Sequence, residues 1–261
     1  MNTEIVCLDR ASFLSDPGKV QESLTSSTGA LVLIQKPYGD TSFYVVNQIR
    51  KAISRRADVR RVKCGHAGTL DPLATGLLII ATGGKTKELA NLIGLDKTYR
   101  VRMRLGVTSA SFDLEQPVEI SGGEGTITKE AVELAIHALP GEHEQIPPIF
   151  SAIKQKGRPA YRAARAGRIP IMAARTIVIH DVEIISIALP YVSFRVRVSK
   201  GTYIRSLVRD IATTLGTGGL LIDLEREAIG DWRVRDALTM EEITQILKKP
   251  EYEAADPLHH S

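Results

Sequence analysis

The sequence predicts an α+β domain: a mixed, largely antiparallel sheet flanked by helices. Three observations carry that expectation. Tyr99 to Leu105 alternates strictly, with Tyr99, Val101, Met103 and Leu105 on one face and Arg100, Arg102 and Arg104 on the other. That period of two marks a half-buried strand with a cationic outer face. Two further strands are expected over Arg175 to Ile187 and Val192 to Ser199, and in the second Phe194, Val196 and Val198 alternate with Arg195 and Arg197. Helical spacing separates such runs, most clearly in the stripe Ile204, Leu207, Val208, Ile211 and Leu215.

The elements follow in chain order. Residues 1–29, polar and rich in Ser and Thr toward their end, read as an irregular extension or edge element. Ala30 to Ile34 is a short apolar run ending at Lys36-Pro37-Tyr38-Gly39, hence a buried strand and a turn. Phe43, Val46, Ile49 and Ile53 recur at helical spacing, with Thr41 or Ser42 placed to cap. An Arg-rich stretch and a glycine-punctuated loop, Gly65 to Gly68, come next, and Lys85 to Ile93 reads as helical. Thr128 to Leu139 is a helix closed by Pro140-Gly141, and Pro159 to Ala166 a short basic helix ended by Gly167. Thr202 is expected to cap the helix that carries Ile204, with Gly216 past its end. Thr239-Met240-Glu241-Glu242 is a capping-box pattern for a last helix. No repeat or long linker interrupts this order.

Composition excludes several classes. With 261 residues, 43% hydrophobic and 25% charged, the chain fits neither a disordered segment nor a collagen-like repeat. No run approaches the ~18 apolar residues of a membrane span, and Glu4, Asp9 and Arg10 break any secretory signal. Cys7 and Cys64 form no framework, so a reducing cytoplasm is the expected location.

Charge is segregated although the net value is only +4. Seven cations, Arg50, Lys51, Arg55, Arg56, Arg60, Arg61 and Lys63, face one acid, Asp58. Lys154 to Arg175 holds no acid at all, and a third basic run contains Arg195, Arg197, Lys200, Arg205 and Arg209. Such segregation suits a phosphate backbone, while solvated surface with salt bridges to the acidic stretches is the plainer alternative.

Familiar catalytic patterns fail. Gly83-Gly84-Lys85-Thr86 resembles a P-loop tail, but Ile79 stands where the first glycine belongs. Cys64 and His66 make a single weak pair, and His137, His143 and His180 are scattered, so no metal and no cofactor is expected. What remains is Gly65-His66-Ala67-Gly68-Thr69-Leu70-Asp71-Pro72-Leu73-Ala74-Thr75-Gly76. Glycines free the backbone before Asp71, and Pro72 restricts Asp71 to extended geometry, which holds a carboxylate on a shaped turn. Asp-Pro also starts helices, so the pattern alone leaves a structural role open. Arg205 falls in the first turn of its helix, where the macrodipole disfavours a cation by about 0.3–1 kcal/mol, and Arg209 lies one turn later. A cation there wants an anion, whether a phosphate or a carboxylate such as Asp71; a structural salt bridge satisfies the same demand.

The Gly65–Gly76 block, continued by Leu77-Leu78, closely resembles the signature of the TruB-type tRNA pseudouridine synthases. Four further segments resemble that family in order: Lys36-Pro37-Tyr38-Gly39-Asp40-Thr41-Ser42, Lys97-Thr98-Tyr99-Arg100, Pro147 to Lys154, and Lys200-Gly201-Thr202-Tyr203-Ile204-Arg205. The resemblance implies a pseudouridine-synthase-type sheet with an RNA-gripping insertion in the acid-free stretch Lys154 to Arg175. It implies an extension over 1–29, a catalytic domain over 30–232 and a short helical tail over 233–261. Only 29 residues follow Trp232, too few for the C-terminal PUA domain of many relatives, so RNA docking is expected to rest on the catalytic domain.

The activity so implied is isomerisation of a uridine to pseudouridine in tRNA, at position 55 of the T-arm, without cofactor or obligate protein partner. The family's catalytic aspartate falls on Asp71, acting on a nucleotide flipped from its stack. Arg205 matches the arginine that pairs with it, and Tyr99 the tyrosine on which the base stacks. His66, Tyr203, Leu224 and Lys36 match substrate-contacting positions. The chain departs from the family at Thr108 to Glu115, where a TDTxDxxG run is usual, at Glu225, which replaces the first arginine of an LRR segment, and at Gly219-Leu220. These departures bear on RNA affinity and target choice rather than on the aspartate. Two alternatives remain: a non-catalytic RNA-binding or tRNA-folding protein using the same cleft, and a guide-RNA-dependent relative, which the Gly-His-Ala-Gly spacing disfavours.

Overall fold

The computed structural model describes residues 7–151, 154–155, 158–159 and 171–248. Its strands are β1 (Cys7–Leu8), β2 (Leu31–Lys36), β3 (Cys64–His66), β4 (Thr75–Thr82), β5 (Lys97–Leu105), β6 (Val107–Ser109), β7 (Val118–Ile120), β8 (Gly141–Gln145), β9 (Lys154–Gln155), β10 (Arg158–Pro159), β11 (Arg175–Ala188), β12 (Tyr191–Val198), β13 (Gly219–Ile229) and β14 (Trp232–Arg233). The helices are α1 (Arg10–Ser15), α2 (Pro17–Thr25), α3 (Ser42–Arg56), α4 (Leu89–Gly94), α5 (Lys129–His137), α6 (Ile204–Thr214) and α7 (Met240–Ile246).

The main sheet runs β1-β2-β4-β13-β5-β12-β11-β8, with β3 on β4 and β14 on β13. Pairing is antiparallel except at β1/β2 and β4/β13. The α+β class with a largely antiparallel sheet is therefore as the sequence predicts. Along β5 the alternation is realised, odd positions buried and Arg100, Arg102 and Arg104 exposed.

Two halves of the sheet bury different cores. Over β5, β11, β12 and β13, helices α5 and α6 contribute Val132, Ile136, Leu207, Val208 and Ile211. Over β2 and β4, helices α2, α3 and α7 supply Val20, Leu24, Val45, Ile49, Ile53 and Ile243. The opposite face of β2 and β4 is covered as well, so Leu31, Leu33, Leu77 and Ile79 are buried there. Burial on both faces explains why these strands read as unbroken apolar runs rather than alternating ones. The Leu70–Ala74 segment, both of whose end residues join the first core, leads directly into β4, which anchors the second.

Three local expectations change. Residues within 1–29 supply the edge element, β1 on β2, but continue as two capped helices rather than irregular chain: Asp9 and Asp16 accept from Ser12 N and Lys19 N. Cys64–His66 pairs with β4 as a strand instead of looping. Asp71-Pro72 forms a turn into β4, as the sequence predicts, with Ala74 N donating to Asp71 O. Helix α6 has Tyr203 at its N-cap with no side-chain cap, because the Thr202 hydroxyl donates back to Ser199 O. The capping box of Thr239 and Glu242 is present. Of the basic helix expected from Pro159 to Ala166, Pro159 pairs in β10, and 160–166 lie outside the described residues.

Candidate active site

The turn carrying Asp71 is tied down from three elements. At the start of α3, Ser42 Oγ donates to Leu70 O (3.0 Å) and accepts from Leu70 N (2.8 Å). Gly39 N donates to Pro72 O at 2.9 Å. From β13, Arg226 donates Nε to Leu77 O (2.7 Å), Nη2 to Gly68 O (3.0 Å) and Nη1 to Thr69 O (3.4 Å). Gly76 sits at φ +106, and a Cβ there would fall 2.4 Å from Arg226 O, so only glycine lets β4 meet β13 at this point.

Lys36 completes the cradle. It is fully buried, and Nζ donates to Pro37 O (2.8 Å), Asp40 O (2.5 Å) and Pro72 O (3.1 Å). An ammonium has three donors, and all three are used in holding the turn. Burial pushes the Lys36 ammonium down to about 8, with the charges of Asp40 and Asp71 opposing that shift.

Asp71 then meets Arg205, which α6 presents from its first turn. Arg205 Nη2 donates to Asp71 Oδ1 at 3.1 Å and to Phe150 O at 3.0 Å, and Nη1 donates to Ser111 O at 3.3 Å. Nε lies 2.8 Å from Asp71 Oδ2 and 3.4 Å from Asp113 Oδ2, aligned as a hydrogen-bond donor with neither. The arginine side chain is 4% exposed and that of Asp113 5%, whereas Asp71 keeps 32%. One carboxylate is thus enclosed and the other open to an incoming ligand, both oriented by one guanidinium. Two carboxylates resolve why a cation is tolerated at this helix start. Arg209, by contrast, turns to Asp210, Ile146 O and the Phe112 ring.

Beside Asp71 a cleft of about 20 Å³ is lined by Leu73, Ala74, Asp113, Leu114, Leu221 and Leu224. That is room for one water. Leu114 in this wall is 45% exposed. Leu224 is buried against the same core as Tyr99, Leu70 and Ala74. The Tyr99 ring is 8% exposed, and its phenol interacts with Arg226. Tyr203 is fixed through its backbone, Gln145 Oε1 accepting from its N–H at 2.8 Å and Gln145 Nε2 donating to its carbonyl at 3.2 Å. Burial holds the Tyr203 phenol protonated, and its ring is near enough to Asp71 and Arg205 to sense both charges.

His66 ends β3 with Nδ1 buried and unpartnered. Burial, reinforced by the Arg226 charge, lowers its pKa. The neutral ring is favoured by folding, so on acidification below 6.5 the unfolded chain takes the proton first and stability falls with pH. An NMR titration of the His66 imidazole is expected to give a midpoint below 6.5; a midpoint at or above that value would contradict this environment.

The site's sequence and fold agree with known proteins. Residues 55–204 match the family described as "TruB family pseudouridylate synthase (N terminal domain)". The chain is 44% identical over 225 residues to "tRNA pseudouridine synthase B" of Phocaeicola vulgatus, covering 86% of this chain and 96% of that protein. The protein of the same name from Chlorobaculum tepidum is 42% identical over 229 residues, covering 87% and 94%. This chain belongs to the TruB pseudouridylate synthase family. Among solved structures, "Crystal Structure of a Cbf5-Nop10-Gar1 Complex" aligns with TM-score 0.61 and 26% identity over 84% of this chain and 54% of the matched one. A second, "Structure of H/ACA RNP bound to a substrate RNA containing 2'-deoxyuridine", has TM-score 0.61 at 24% identity, 85% and 54% being covered, and shows the shared fold.

For this TruB-family chain, sequence reasoning missed Asp113, Arg226 and Gln145. Asp113 lies in the segment that departs from the family's usual TDTxDxxG run, yet it falls on that run's second aspartate when Ser109 is set against the first threonine. Arg226 had a legible signal: in β13 it alternates with Leu224 and Ala228 on the buried face, where a charge demands partners. Glu225, on the other face, pairs with Arg100 at 2.9 Å, so its negative charge is met locally rather than left beside the cleft. Among the described residues no group of three or more His, Cys, Asp or Glu side chains could hold a metal, and no helix is long and apolar enough to cross a membrane.

Proposed function

We propose that this chain isomerises a uridine of tRNA to pseudouridine, at position 55 of the T-arm, with Asp71 as the reacting carboxylate. Its membership in a family of isomerases supports the reaction class, and its relatives' names support the substrate. The observation that carries the mechanism is the partly open Asp71 carboxylate, oriented by the buried Arg205, on a turn fixed by Ser42, Lys36 and Arg226.

In the reaction the N1–C1′ bond breaks, the uracil turns, C5 bonds to C1′, the C5 proton leaves and N1 takes up a proton, so the product is an isomer of the substrate. No oxidant is consumed and no water is added. Asp71 acts as nucleophile, or as base in a glycal-type route, and either role needs a carboxylate whose direction is set before substrate arrives. Extrusion of the base costs a few kcal/mol, which stacking on Tyr99 and contacts from His66, Tyr203 and Leu224 offset in part.

Incubating the purified chain with unmodified tRNA and mapping modified positions tests the reading. A single new pseudouridine in the T-arm is expected; no pseudouridine anywhere would overturn it, and modification elsewhere would overturn the assigned position. Arg205→Ala is expected to cut single-turnover rate by ~10²-fold or more at saturating tRNA, since it removes orientation of the reacting group. A loss confined to affinity would instead make Arg205 a phosphate clamp.

A further inference from the structure

The three basic runs of the sequence have different fates. Arg195 is met by Glu183 and Glu227, Arg197 by Asp96, Arg205 by Asp71 and Asp113, and Arg209 by Asp210. That run is neutralised except at the exposed Lys200, which has no ion pair among the described residues. Around the end of α3, Lys51, Arg55, Arg60 and Arg61 have no ion-pair partner among the described residues, and all four are exposed. They line an open pocket of roughly 790 Å³ together with Arg50, which donates to Asn47, and one acid, Asp58.

The same helix reaches the active turn. Its first residue, Ser42, holds Leu70, while Tyr38, Phe43 and Tyr44 stand 60%, 67% and 48% exposed beside it. From Tyr44 a solvent-facing stripe continues at i+4, i+3 and i+4 through Gln48, whose amide donates to the Tyr44 hydroxyl at 2.6 Å, to Lys51 and Arg55. Fifteen residues at about 1.5 Å each place its ends about 22 Å apart. Exposed rings at one end and unpaired cations at the other match how proteins hold single-stranded nucleic acid, with bases on aromatic faces and phosphates on a basic groove.

We propose that this stripe of α3 is a docking track for the strand of substrate RNA leading away from the reacting uridine. The track rests on the proposed function for its ligand. Phe43 and Tyr44 receive unpaired bases next to the target, and Lys51, Arg55, Arg60 and Arg61 neutralise phosphates several nucleotides further on. Such contacts position the RNA without reading its sequence.

Fluorescence anisotropy of labelled tRNA, titrated with the full chain at several salt concentrations, tests the track. The triple variant Arg55→Gln, Arg60→Gln, Arg61→Gln is expected to weaken binding about tenfold or more and to flatten the salt dependence of log Kd by about 2–3. A charge-matched control, Lys19→Gln, Lys129→Gln, Arg235→Gln, is expected to change binding less than threefold. Equal effects of the two triples, or no effect of the first, would overturn the proposal. Phe43→Ala is expected to lower affinity severalfold with the salt slope intact, and unchanged affinity would overturn the stacking contact. Absence of pseudouridine from the wild-type reaction would refute the proposed function separately, because the binding comparison does not depend on turnover.

Discussion

Asp71→Asn is expected to abolish pseudouridine formation, by about 10⁴-fold or more, while tRNA binding stays within a few-fold. The substitution is isosteric, so the turn keeps its ties to Ser42, Gly39, Lys36 and Arg226, none of which uses the Asp71 side chain. Arg205 keeps Asp113 as its counter-ion and Phe150 O and Ser111 O as acceptors. What disappears is the open carboxylate of the pair that Arg205 holds. RNA affinity arises mainly from phosphate contacts elsewhere and is left in place. Single-turnover assays at saturating tRNA separate the two effects; turnover within tenfold of wild type would remove Asp71 from the chemistry.

The second large effect concerns stability. Arg226→Met is expected to destabilise the fold by ~2–3 kcal/mol, because it strands the buried Leu77 O and the part-buried Gly68 O and Thr69 O, a buried unsatisfied carbonyl costing about 1–3 kcal/mol. For a chain of this size that corresponds to a fall in Tm on the order of 10 °C. The loss is concentrated where β13 meets the active turn, so catalysis suffers even in the folded fraction. Arg226→Lys is expected to fall between, since an ammonium cannot span three acceptors as a planar guanidinium does. Thermal melts of the two variants test the claim, and a Met variant melting within about 2 °C of wild type would contradict it.

How much of this was legible depended on range. Alternation in β5 and the stripe of α6 are local periodicities, and both were realised because one face of each is buried against a continuous core. Strands β4 and β13 were harder to read. β4 is apolar on both faces, and β13 carries Asp223, Glu225, Arg226 and Glu227 because it crosses the middle of the sheet with one face toward solvent and a buried arginine on the other. The Asp71–Arg205 pair was inferable from a misplaced cation and a shaped turn. Asp113 was not, since only the fold brings it to Arg205. Lys36 was assigned to substrate because it belongs to a motif beside the cleft. Its three carbonyl acceptors tie it to the turn that carries Asp71, a contact that only the fold reveals. The charge runs misled in a similar way: the run with Arg195 and Arg197 looked like an RNA surface until cross-strand pairing set acids beside it.

The central claim is geometric: an extruded uridine meets Asp71 where Arg205 aims it. A crystal structure of the Asp71→Asn chain with a T-arm stem-loop tests it most directly. The account predicts the target nucleotide out of its stack, its base against Tyr99, and a reacting carbon of the uridine about 3–3.5 Å from the residue 71 side chain. A bound stem-loop with that uridine still stacked, or extruded away from the Asp71 cleft, would contradict it.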